Sequence, residues 1–525
     1  GVLDGGLSAR YYSFDGEYTN IVTGETVGDE QTRALSGSLR WTPHEDLTIS
    51  TRLNLQNDDD GTRAFFLQPS ESNNCFPGTR SNALWNSVTG STNQNQYFCG
   101  EINRPADYVQ LNDGPALGGA PPVIPGVLDV PFPGFGPPVD PYNPAQGVAF
   151  SGVERDLFYL SLQTEWDIQG SGWTAVAAGA YRDDDRKTGS DSDHTSVNYI
   201  STAGGECGLC ASERDDVSDY SVELRLESPV QNRLRGLIGT YYFDQEIDGS
   251  DITFTDLDGG DVNERETTKN WAVFAQLEYD ILENVTLGVE GRYFDEEKSL
   301  FQRRTTVDPT PTNEFDDSID FSEFAPRVTL DWRATDDLLV YAIYAKGFKP
   351  GGLNGRPGAT AVPPAPTYDQ EESDNYELGL KATLFDGRMT LNTSVFYIDV
   401  SDIQLTTPLA TGAAGTLTSI VTNQGSGEVT GAEVEATLYL TDAITVGATY
   451  ALADTEFTEG CDEFQWTLTS GGGILNDAAN CTGFDPNGEG DGSIKGNAFP
   501  LSSKNQFSAY ADFRTAVFDA MEFFA

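Results

Sequence analysis

Residues Tyr220-Ser-Val-Glu-Leu-Arg-Leu-Glu227 set Tyr220, Val222, Leu224 and Leu226 against Ser221, Glu223, Arg225 and Glu227. In an extended chain successive side chains leave on opposite faces, so this stretch carries one apolar and one charged face. The two-residue period returns along the chain. Val285, Leu287, Val289 and Tyr293 alternate with Thr286, Glu290 and Arg292, and Val328, Leu330 and Trp332 with Arg327, Asp331 and Arg333. Tyr376, Leu378, Leu380 and Leu384 stand against Glu377 and Lys381, and Val434, Leu438 and Leu440 against Glu433 and Glu435. A wall with lipid on one side and a polar lumen on the other needs this pattern, with charges of both signs facing inward.

Working outward, such segments recur from 5–14 to one that starts near 520. Their joints alternate in length. Short polar turns such as Thr42-Pro-His-Glu-Asp46, Gln169-Gly-Ser-Gly172, Asp386-Gly387 and Thr441-Asp442 take turns with long connections, the largest near 58–151, 185–216 and 458–499. Tight turns at the periplasmic rim and long extracellular loops are the rule of outer-membrane barrels. The fold expected is all-β: a large antiparallel transmembrane β-barrel, about 16–17 strands visible of a probable 22. Residues 1–525 then form one partial barrel. Both ends fall in mid-pattern, and the missing strands and a plug are expected elsewhere.

Composition agrees and excludes alternatives. Gly 55, Tyr 22 and Phe 29, with only Met 2 and His 2, favour turn-rich β-structure. Mean hydropathy is -0.38, and no apolar run reaches the roughly 18 residues of a membrane-spanning helix. Aromatics near strand ends, Trp41, Trp166, Trp173, Trp332 and Tyr439, suit an interfacial girdle. The histidines stand far apart, His44 in a periplasmic-type turn and His194 in an Asp/Ser-rich loop, and no phosphate-cradling glycine loop precedes a helix, so an enzyme is not expected.

Acidic residues number 82 against 31 basic, a net charge of -51, which excludes nucleic acid as a partner. Runs such as Asp58-Asp-Asp60, Asp183-Asp-Asp185, Asp215-Asp216, Asp256-Leu-Asp258 and Asp316-Asp317 are expected in loops. There they would solvate the surface, steer cations, or hold divalent ions against lipopolysaccharide phosphates.

Six cysteines form three sequence-local pairs, Cys75 with Cys99, Cys207 with Cys210, and Cys461 with Cys481, each in a Gly/Asn/Asp-rich segment rather than a strand. Disulfides closing surface loops in an oxidising compartment are expected. No cofactor is required. One extracellular segment, Asp485-Pro-Asn-Gly-Glu-Gly-Asp491, places Asp485, Asn487, Glu489 and Asp491 at alternate positions with Gly490 sixth, partly like a calcium loop. Its twelfth position is Gly496, where such loops carry a bidentate Glu.

Val340-Tyr-Ala-Ile-Tyr-Ala-Lys-Gly-Phe-Lys-Pro-Gly-Gly-Leu-Asn354, followed by Tyr368-Asp-Gln-Glu-Glu-Ser-Asp-Asn-Tyr-Glu-Leu-Gly-Leu-Lys381, resembles a strand-to-loop segment of TonB-dependent outer-membrane receptors. Phe324-Ala-Pro-Arg-Val-Thr-Leu330, Val395-Phe-Tyr-Ile-Asp-Val-Ser-Asp-Ile-Gln404 and Val429-Thr-Gly-Ala-Glu-Val-Glu435 are similar to other strands of that family, in the same order. The resemblance implies the barrel portion of a receptor in the bacterial outer membrane, set in lipid and lipopolysaccharide. It implies capture of a small nutrient ligand, above all a ferric siderophore, and import with energy from a TonB-type periplasmic protein acting on a plug outside this stretch. A passive porin or diffusion channel, and a structural or adhesive surface barrel, are the alternatives.

Overall fold

The computed structural model describes residues 1–20, 24, 26–63, 108–109, 152–191, 210–252, 262–304, 314–355, 366–411, 416–470, 474–477, 481–485, 488, 490–518 and 521–524. Seventeen strands, from Val2–Phe14 to Met521–Phe524, make one sheet. Each pairs antiparallel with the next long strand in sequence, a continuous meander. The first strand is exposed along all 13 residues, as an edge strand is.

Register fixes the two faces. Leu224 lies opposite Ala177 and Thr240, and one residue along Glu223 lies opposite Ala178 and Tyr241. The first of these faces is apolar and open: Leu224 is 50%, Ile238 59%, Leu277 57% and Leu378 56% exposed. A contiguous apolar surface of that extent is sustained by hydrocarbon rather than water.

Two aromatic rows bound this band. Near the short turns stand Trp41, Trp166, Tyr279, Trp332 and Tyr439, all exposed. Toward the long loops, rings approach one another across neighbouring strands, Tyr220 to Tyr242 at 5.9 Å, Trp271 to Tyr293 at 5.7 Å and Tyr344 to Tyr376 at 5.2 Å. This upper row is amphipathic: Tyr242 donates to Asp244 at 3.0 Å, Trp271 Nε1 to Asp295 at 3.1 Å and Tyr344 to Asp374 at 2.7 Å. An apolar body below and a wet tip above is what a headgroup boundary selects. From Trp271 to Tyr279 the strand runs about 26 Å along its own axis at ~3.3 Å per residue, close to the roughly 9–11 residues of one tilted barrel crossing.

The strands continue past that boundary. Glu314–Thr335 has 22 residues and Val262–Leu282 has 21, twice what a crossing needs. Several acidic runs expected in loops therefore lie on strands: Asp58 to Asp60 end Leu47–Asp60, Asp183 to Asp185 belong to Trp173–Asp191, Asp215 and Asp216 to Cys210–Glu227, and Asp316 and Asp317 to Glu314–Thr335. Above the membrane both faces meet water, so alternation ends while pairing does not. The loop expected over 185–216 shrinks accordingly, and Cys210 opens a strand rather than sitting in a loop. Asp256 and Asp258, Cys75, Cys99, Cys207 and most of 58–151 lie outside the described residues.

One helix, Glu463–Ser470, sits in the 458–499 connection. Asp462 caps it, its Oδ1 accepting the Gln465 amide at 2.7 Å. The Cys461–Cys481 disulfide forms beside it. Beneath, Ile403, Phe457 and Ile494 make a small core with Phe499, whose ring lies 4.7 Å from that of Phe457.

Candidate functional site: the inner wall

The eleven charged residues singled out from alternation all lie on the face opposite the apolar band. Two residues along from Glu223, Arg225 is clasped by its own strand, Nη1 2.7 Å from Glu223 and Nε 2.6 Å from Glu227. Arg292 extends its guanidinium over Tyr241 at 5.2 Å and Phe274 at 5.9 Å. Its neighbour Glu290 lies 3.6 Å from Arg327. Asp331 faces Thr286 on one side and Tyr341 on the other, and Tyr341 donates to Glu377 at 2.6 Å. Lys381 stands 5.9 Å over the Tyr341 ring. Glu435 accepts from Asn392 Nδ2 at 3.2 Å, and the Glu433 carbonyl accepts from Thr393 at 2.9 Å. Arg333 sits at the short-turn end, where its main chain exchanges bonds with Asn284.

Adjacent opposite charges make this wall a mosaic of short pairs, not a field of one sign. Such pairs contribute little where water reaches them, and more against a dry partner surface. Tyr241, Phe274 and Tyr341, which orient the cations, were not anticipated because aromatics alone suggest the lipid face. Their parity with the charged residues was the available signal. A hollow of ≈ 810 Å³ opens on this wall among Arg40, Arg52, Tyr159, Glu223 and Tyr241.

Above the membrane the same face turns acidic. Asp184 is held by Arg155, and Arg182 meets Asp219 at 2.7 Å. Desolvation pushes Asp60 above the ordinary carboxylate range, partly opposed by the Gln31 amide, whereas hydrogen bonding from Arg155 draws Asp184 below it.

In the partly calcium-like segment, the two Asp485 oxygens accept from the amides of Gly488 at 2.8 Å and Gly490 at 2.7 Å, while Asp491 accepts from Ser493 at 2.9 Å. These bonds close turns. Asn487 and Glu489 lie outside the described residues. His44, Glu45 and Asp46 are the described residues near enough to share an ion, within 4.8 Å, yet Asp46 is tied to Gln169 at 2.5 Å and the group is a turn lock.

Residues 102–523 match the family described as TonB dependent receptor-like, beta-barrel. The chain belongs to the TonB-dependent receptor family. It is 31% identical over 170 residues to the pesticin receptor of Yersinia enterocolitica, covering 32% of this chain and 24% of that protein. It is 26% identical over 151 residues to the metal-pseudopaline receptor of Pseudomonas aeruginosa, covering 29% and 19%. In solved structures the fold is similar to the ferric yersiniabactin uptake receptor of Yersinia pestis, with TM-score 0.61, 15% identity and coverage of 98% of this chain and 61% of that one. It is also similar to the ferric preacinetobactin receptor of Acinetobacter baumannii, with TM-score 0.55, 13% identity and coverage of 98% and 62%. The chain thus spans less than two thirds of these relatives. As a TonB-dependent receptor barrel it is a bacterial outer-membrane protein, in a family of transport receptors rather than enzymes.

Proposed function

We propose that this TonB-dependent receptor binds a ferric siderophore or another iron complex at its external face and imports it with energy from a TonB-type periplasmic protein. The observation that carries the reading is the inner wall: paired charges and fixed aromatics, rather than a one-sign field, suit contact with a protein plug that moves during transport. Membership in a transport-receptor family and relatives named for iron complexes support it. The partners are then the ligand, the energy transducer, and the lipid and lipopolysaccharide around the band.

A strain deleted for the full-length gene is grown under iron limitation and supplied with radiolabelled iron as ferric yersiniabactin and as other ferric chelates. The expected result is loss of accumulation for at least one chelate, restored by the gene and abolished by a protonophore. Accumulation that persists with the protonophore would mean passive diffusion and would overturn the reading.

A further inference from the structure

Among the apolar side chains on the inner wall, three lie close together near its extracellular end. Phe294, Leu300 and Phe321 share the face of Glu290 and Arg292, and they are only 9%, 4% and 8% exposed. The chain leaving Leu338–Lys349 lies over Phe321 and Leu300, while the Phe294 ring meets that of Phe348, on the strand itself, at 6.3 Å. Lys298 Nζ donates to the Gly351 carbonyl at 3.0 Å. A Cβ on Gly351 would lie 2.1 Å from the Tyr368 carbonyl oxygen and 2.6 Å from the Phe321 ring, and one on Gly355 would lie 3.0 Å from Leu300. Only glycine lets the main chain press this closely on the wall. The pairing of Gly352–Leu353 with Thr367–Tyr368 completes the covering segment.

Its other side is bracketed to the next extracellular hairpin. The Asn354 side-chain amide donates to the Val421 carbonyl at 2.8 Å and accepts the Val421 amide at 2.8 Å. Asn423 does likewise with Asp369, donating at 2.9 Å and accepting at 2.7 Å. Gln404 Nε2 faces three carbonyls, Pro350 at 2.9 Å, Asp369 at 3.0 Å and Lys349 at 3.3 Å. Two asparagines thus act as strand partners for the facing peptides, and their bonds span the two segments in both directions.

We propose that the described stems 350–355 and 366–371 are a permanent shelf over the inner wall, held by Asn354, Gln404 and Asn423 as positioning residues. The shelf is a fixed part of the surface along which cargo passes, not a lid that opens. Its place in transport rests on the import reading above; its rigidity does not.

Two measurements on the full-length protein test this. Hydrogen exchange followed by mass spectrometry in detergent micelles is expected to show 350–355 and 420–425 protected to the same degree. Asn354→Ala is expected to speed exchange about tenfold or more in both segments together and to leave Val285–Arg304 unchanged, while Asn354→Asp, which keeps the acceptor, falls between. Wild-type exchange at the rate of an unstructured loop overturns the shelf.

The second measurement uses the Asn354→Cys/Val421→Cys double variant in cells supplied with labelled ferric yersiniabactin and the chelates above. Equal uptake in the oxidised and reduced states is expected, whereas uptake lost on oxidation and regained on reduction identifies a lid and overturns the proposal. If wild-type cells import none of the chelates, the import reading fails, and the exchange data still decide whether the shelf is fixed.

Discussion

Arg155 and Asp184 meet through two parallel hydrogen bonds, Nε to Oδ1 at 2.7 Å and Nη2 to Oδ2 at 2.6 Å, with Asp58 a further 3.9 Å contact. The pair joins adjacent strands above the membrane, and Asp184 is only 8% exposed. Hydrogen bonding by Arg155 is the largest influence on Asp184 and outweighs burial, so its folded carboxyl titrates below the ordinary range. An unfolded Asp, with pKa about 3.9, binds protons more readily, so the pair's contribution is complete above that value and disappears as pH falls through the folded one. Urea titrations in detergent should show this contribution unchanged between about pH 7 and pH 5. Asp184→Asn should cost about 2 kcal/mol at neutral pH and lessen the loss of stability in acid.

Leu224 and Glu223 are neighbours with opposite obligations. Leu224→Arg places a cation in hydrocarbon and should destabilise the inserted barrel by about 2–4 kcal/mol. Glu223→Gln keeps a polar group on the inner wall and should change stability by less than about 1 kcal/mol, since Arg225 retains Glu227. Refolding into lipid vesicles, read by the heat-dependent gel shift, checks both. Equal effects from the two variants would reverse the assignment of faces.

Gly379 leaves room for the Tyr341 ring, whose Cζ would lie 2.4 Å from an added Cβ. Gly379→Ala should displace the ring, break its bond to Glu377, and cost about 1–3 kcal/mol. In the Tyr341→Ala background the same change should be nearly neutral. The double-mutant cycle gives the coupling directly, and additive effects would show that ring and glycine do not interact.

The Cys461–Cys481 bond closes a sequence separation of 20 around the helix and its buried Trp466. Replacing both cysteines by serine should remove about 3 kcal/mol from this loop's folding. Limited proteolysis should then cut within 459–500 while the membrane strands stay intact. Cleavage spread equally over the barrel would place the bond's effect elsewhere.

How far the sequence conveyed this structure depends on where physics imposes a period. Between the aromatic rows lipid and lumen force alternation, and Leu224 beside Glu223 was readable at once. Above them Asp183 to Asp185 put charge on both faces, the period fades, and the strand passes for a loop. The helix Glu463–Ser470 is too short for periodicity, although Asp462 three residues before Gln465 was a readable capping signal. The brackets of Asn354, Gln404 and Asn423 left no pattern, because each joins a side chain to a distant peptide. Pro350-Gly-Gly352 was the one local sign of close main-chain approach.

The meander also sets an order of assembly. Most strands meet their partners across short or moderate connections, so hairpins can add one after another at little entropic expense. Leu47–Asp60 and Gly152–Ile168 are instead separated by about ninety residues, and closing that span costs ~3 kcal/mol more than closing a four-residue turn. This one seam therefore carries the largest closure cost of the meander, yet because that cost grows with the logarithm of length, halving the intervening segment should recover only ~0.6 kcal/mol of it.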